Sequence, residues 1–150
     1  MLQIFDIGDM TAPQLLHKEI IGTRGTASEA ATNHLAFNYF AQKNLLAFPA
    51  TICEGGTNGY YGDRMTFSGL LVYDVSVTEG FTRRGGISHV DPLSEQASQL
   101  CYGWWTQPNS AVERSIFMDD YVYSVALDKI KVDDVNSLGE DVAVIDLLRE

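Results

Sequence analysis

Apolar residues in this chain gather in short runs, rich in β-branched and aromatic side chains and bounded by Gly, Asp, Asn and Pro. Such runs specify many short strands. Strands are predicted over residues 2–7, 14–21, 34–40, 45–52, 68–77, 81–90, 113–118, 121–127, 129–135 and 141–148. Helical spacing is weak throughout; the alanines of 27–37 admit one short helical turn. Polar tips at Gln42-Lys43-Asn44 and at Asp119-Asp120 divide apolar runs closely enough to close hairpins.

The strands carry a repeat. Leu2-Gln-Ile-Phe-Asp-Ile7, Leu70-Leu-Val-Tyr-Asp-Val75 and Ile130-Lys-Val-Asp-Asp-Val135 each end in a hydrophobic-Asp-hydrophobic step, followed by a polar turn and another strand. Asp6, Asp74 and Asp134 stand 68 and 60 residues apart, the span of one four-stranded sheet plus long loops. Repetition on this scale points to an all-β fold of antiparallel propeller blades, in which no unit buries its faces alone. The expected division is a partial blade over 1–22, a blade over 34–90 and another over 113–150. About two and a half blades make an incomplete ring, since propellers typically have four to eight. The missing blades would come from the remainder of a longer protein, of which this chain is a C-terminal fragment, or from self-association. A two-sheet sandwich is the alternative.

Composition narrows the function classes. Twenty acidic against ten basic side chains give a net charge of −10, which repels a phosphate backbone and argues against nucleic acid. The acidity reads as solubility, or more sharply as cation binding or a salty habitat. No apolar run is long enough to span a membrane. No basic segment and apolar core of a signal peptide follow Met1.

Gly22-Thr-Arg-Gly-Thr-Ala-Ser-Glu-Ala30, His34, Lys43-Asn-Leu-Leu-Ala-Phe-Pro49 and Gly69-Leu-Leu-Val-Tyr-Asp-Val-Ser76 carry a resemblance that Gly80-Phe-Thr-Arg-Arg-Gly-Gly-Ile-Ser-His89 continues, with Arg114-Ser-Ile-Phe and Lys129-Ile-Lys-Val after it. Together they resemble a family of secreted bacterial and archaeal proteins with a C-terminal β-propeller distantly related to WD repeats. The resemblance implies a propeller near the end of a longer chain, an extracellular or cell-envelope location, and no established activity. Any export signal would then lie upstream.

Candidate chemistry is sparse, and each candidate has a structural alternative. The three repeated aspartates are expected to accept backbone N–H groups in the turns that follow them, rather than to bind a ligand. Arg24 and Glu29 flank Gly22 and Gly25 in a loop that could form an anion nest or could tie two blades together; its spacing matches no phosphate loop. His17, His34 and His89 have no zinc spacing, and no nucleophile elbow occurs. No cofactor, metal or catalytic residue is therefore assigned. Two irregular stretches, 53–67 and 91–112, are long for loops and read as functional or disordered. Alternating strand directions open both on the same face, so Cys53 and Cys101 can meet; in an oxidising compartment a disulfide would staple the loops, and otherwise both remain free thiols. The same face would gather Tyr60, Tyr61 and Phe67 with Tyr102, Trp104 and Trp105, as a surface for a protein or carbohydrate ligand or as a small satellite core. The reading is a non-catalytic interaction module. Its alternative is a hydrolase-like enzyme completed by other blades, with Glu54, Asp63 and the histidines as local candidates.

Overall fold

The structure, a computed structural model, describes residues 1–56, 60–91, 101 and 112–147. Among these residues, ten strands form three antiparallel sheets of two, four and four strands. The first pairs β1 (Leu2–Asp6) with β2 (Gln14–Glu19). The central sheet runs β3 (Asn38–Phe40), β4 (Leu45–Glu54), β5 (Arg64–Ser76) and β6 (Gly80–Ser88) in sequence order. The third repeats that order with β7 (Val112–Met118), β8 (Tyr121–Ala126), β9 (Lys129–Asp134) and β10 (Asp141–Asp146). This is an open arc of propeller blades.

Both sides of the central sheet are covered, so β4 and β5 read as nearly continuous buried strands without polar alternation. On one side Leu45, Ala47, Leu70, Val72 and Ile87 pack against Val112, Val122 and Val135 of the third sheet. Phe40 stacks on Phe117 across the same junction, with centroids 5.2 Å apart. On the other side Leu46, Phe48, Leu71 and Tyr73 pack with Leu2 and Ile21 from the first sheet and the segment after it. Burial in that cluster raises the pKa of Tyr73 above its ordinary value. Pro49 is tolerated within β4 because it lies past the end of β3, which stops opposite Ala47. The Ser28 hydroxyl takes the Pro49 carbonyl on that open side.

A one-residue bulge recurs at the same place in every sheet. The register slips between Ile4 and Phe5, between Val72 and Tyr73, and opposite Val132 and Asp133. The extra residue is Leu16, Arg84 or Val142, each on the last strand of its sheet. A bulge turns the strand and re-aims one side chain. At Arg84 the result is a tie between sheets. Its guanidinium grips the Asp74 carboxylate (Nη2 to Oδ1, 2.6 Å) and reaches Asn136 Oδ1 of the third sheet at 3.4 Å.

Three local expectations are corrected. Residues His34–Ala36 form a 3-10 turn capped by Asn33 instead of beginning a strand, and a second such turn spans Glu29–Ala31. Strand β5 starts at Arg64, because Met65 and Phe67 find buried places opposite Cys53 and Ile52. The aspartates differ in role. Asp6 and Asp134 accept the N–H of Gly8 and of Asn136, each at 2.8 Å. Asp74 pairs with Arg84, and Ser76 Oγ takes over the turn by accepting the N–H groups of Thr78 and Glu79.

Candidate ligand-binding rim

Strand β4 runs out at Glu54 and β5 enters at Arg64, so the connection between them stands at one end of the central sheet. The loop from Gly22 folds over the same end. Its amides and hydroxyls close on β4: Thr23 N–H donates to the Cys53 carbonyl at 2.8 Å, and the Thr23 and Thr26 hydroxyls donate to the same oxygen. Thr26 Oγ1 also accepts from Cys53 N–H at 3.0 Å. Gly22 sits at φ +59°, a left-handed conformation, where a Cβ would fall 2.8 Å from the Cys53 carbonyl oxygen; only glycine fits. Hydroxyl and main-chain groups thus anchor this loop.

Cys53 and Cys101 are disulfide-bonded, with Cα atoms 5.7 Å apart and a sequence separation of 48. The bridge is enclosed by Met65 and Val90 in a small apolar cluster of its own. Arg24 lies over the Tyr61 ring at 4.4 Å, and its carbonyl accepts the N–H of Gly62 at 2.7 Å. The cation therefore faces an aromatic ring on an adjoining, tightly held segment. Tyr60, beside it, is 74% exposed, and Tyr61 is partly exposed. Phe67 belongs instead to the core between the sheets, where Arg83 covers its ring.

A family model described as a beta propeller domain matches residues 1–138. The chain belongs to the β-propeller domain family. No curated protein and no solved structure matches it. Within this propeller segment, the rim holds Arg24, Tyr60 and Tyr61 together. Glu29 lies in the adjoining 3-10 turn, where its carbonyl accepts from Thr32 and Asn33. Tyr102, Trp104 and Trp105 lie outside the described residues.

Of the candidate acids and histidines, Glu54, His17 and His89 have side-chain partners, and Asp63 donates its backbone N–H to the Glu54 carbonyl at 3.0 Å. Glu54 forms an ion pair with Arg64 at 3.0 Å. His17 Nε2 lies 2.8 Å from the Val77 carbonyl, joining the first two sheets. His34 sits in its 3-10 turn. His89 is buried, with Nε2 2.7 Å from Ser124 Oγ of the third sheet. Burial, followed by the positive charges of Lys131 and Lys129, lowers its pKa to about 4. Ser124 is itself fully buried, so the Ser–His pair is a junction between sheets, out of reach of a substrate. Beside it Asp133 accepts from Gly139 N–H at 2.6 Å, and burial raises its pKa. Nothing in the sequence flagged this junction beyond an isolated histidine at a strand end. Among the described residues no group of three His, Cys, Asp or Glu could hold a metal ion, and no helix is long and apolar enough to cross a membrane.

Proposed function

We propose that this propeller segment is a non-catalytic binding module of a secreted or cell-envelope protein, related distantly to WD repeats, and that the Arg24–Tyr60–Tyr61 rim takes a protein or carbohydrate ligand. The carrying observation is the strongly exposed Tyr60 beside the Arg24–Tyr61 stack, on loops fixed by the 53–101 bridge. Aromatic side chains held rigidly offer contact area at little entropic cost. Tyr102, Trp104 and Trp105 follow Cys101 in sequence and extend the same reading. A structural disulfide also suits an oxidising compartment, which supports the assignment outside the cytoplasm. The hydrolase alternative has less support, because Glu54 is committed to Arg64 and His89 is enclosed with Ser124.

The test is to screen the chain against a glycan panel and a displayed peptide library, then repeat with Tyr60→Ala and Arg24→Ala. The expected result is a ligand lost in both variants with the thermal melt unchanged. A ligand retained by both variants removes the rim from the account.

A further inference from the structure

We propose that the chain associates head to tail, the outward side of the third sheet seating the outward side of sheet β1–β2 from a second copy. This is independent of the ligand-binding rim. The molecule already contains an interface of this kind.

At the junction between the central and third sheets, two sides meet whose residues can be matched through the repeat. Directly opposed residues in an antiparallel pair share a side, and alternate residues along a strand share it too. The central sheet therefore presents Phe40, Leu45, Ala47, Leu70, Val72 and Ile87 to its neighbour. Matching Asp74 with Asp134 places Met118, Tyr121, Tyr123, Ile130, Val132 and Ile145 at those positions in the third sheet. Every one is apolar or aromatic. Yet Met118, Tyr121 and Ile145 are 56%, 41% and 50% exposed, and Ile116 on the same side is 46% exposed. Val132, at its centre, is buried by its strand neighbours, and the side repeats the pattern of the established junction without a neighbouring sheet among the described residues.

The complementary side is equally visible. Matching Asp134 with Asp6 sets Ile7 at the place of Val135 and Phe5 at the place of Asp133, both of which are buried at the existing junction. Phe5, Ile7 and Leu15 are instead exposed. One molecule thus carries both halves of a contact that it demonstrates internally. Such a heterologous contact closes into a ring when its rotation allows. Two four-stranded sheets and one two-stranded sheet per chain give four full and two partial blades for two copies, within the roughly four to eight blades of known propellers. The occupant is a second copy of this chain.

The experiment is sedimentation velocity on the purified, oxidised chain from micromolar to millimolar concentration. A concentration-dependent dimer is expected. Ile116→Lys with Ile145→Lys should leave a monomer, as should Phe5→Lys with Ile7→Lys. Mixing the two variants should restore a one-to-one heterodimer, because each keeps one intact side. Circular dichroism checks folding, and serine replaces lysine in any pair that unfolds. A wild-type chain that stays monomeric throughout overturns the proposal and assigns both sides to other sheets. Association that survives either pair of substitutions, or that fails to return on mixing, overturns the head-to-tail arrangement.

Discussion

Ile87 in β6 and Ile145 in β10 occupy the same place in their sheets, opposite Leu70 and Ile130 respectively, yet Ile87 is fully buried and Ile145 half exposed. The central sheet is clamped between apolar surfaces on both sides. Among the described residues the third sheet has a neighbouring sheet on one side only, and that side includes Ser115, Ser124 and Asp133 together with His89 from the segment following β6. One backbone plan therefore supports two economies of stability. The central sheet relies on close-packed hydrocarbon. The third depends in part on buried hydrogen bonds, which stabilise while satisfied and are costly when broken.

The sharpest way to break this comparison is a matched pair of truncations. Ile87→Ala should destabilise by about 2–5 kcal/mol, the range for emptying a packed core site. Ile145→Ala in the monomer should cost under about 1 kcal/mol, since its side chain is already half in water. Urea denaturation of both variants reads the difference directly. Equal losses would mean that the outward side of the third sheet is covered in solution.

The next effect concerns the end of the central sheet. Reducing the Cys53–Cys101 bond, or replacing both cysteines by alanine, should cost roughly 2–4 kcal/mol by freeing the unfolded chain. Thermal melts with and without reductant measure it.

Acid should then act on the junction of the two sheets. His89 has a folded pKa of about 4, below the roughly 6.5 of an unperturbed histidine. The unfolded chain therefore binds the proton first, and the stability His89 contributes is complete above about pH 6.5 and lost as pH falls toward 4. The loss is on the order of 3 kcal/mol, and His89→Gln should flatten that part of the pH profile. Asp133 works in the opposite sense. Its raised pKa favours the protonated folded form, so its contribution is lost as pH rises, which blunts the acid limb without reversing it.

The smallest effect is at the bulge. Arg84 and Asp74 are both partly exposed, so Arg84→Ala should cost about 1 kcal/mol or less. A double-mutant cycle with Asn136→Ala tests whether the guanidinium couples the sheets, through a nonzero interaction term.

Much of this architecture was legible in the residues. Apolar runs located the ten strands found among the described residues, and the spacing of the three aspartates gave the repeat that orders them. The side that each strand buries was harder to read. In β4 and β5 both faces are covered, which erases alternation, so only pairing reveals that Leu46 and Ala47 face different neighbours. The bulges were not legible because an extra residue in a strand leaves no composition signal at Leu16 or Val142. Asp74 was misread for a similar reason: its partner Arg84 is aimed by the bulge rather than by strand alternation. For the rim, alternating strand direction brought Cys53 and Cys101 to one end. It could not distinguish Phe67, drawn into the core, from Tyr60 in solvent, because that depends on where β5 begins.

The recurring kink in β2, β6 and β10 also bears on safety in a crowded solution. A flat peripheral strand offers its unpaired amides and carbonyls as a template for endless addition of foreign chains. Each outer rim strand here is interrupted once, at the same height, so a straight newcomer cannot match it along its length. Fibril growth at the perimeter is thereby discouraged.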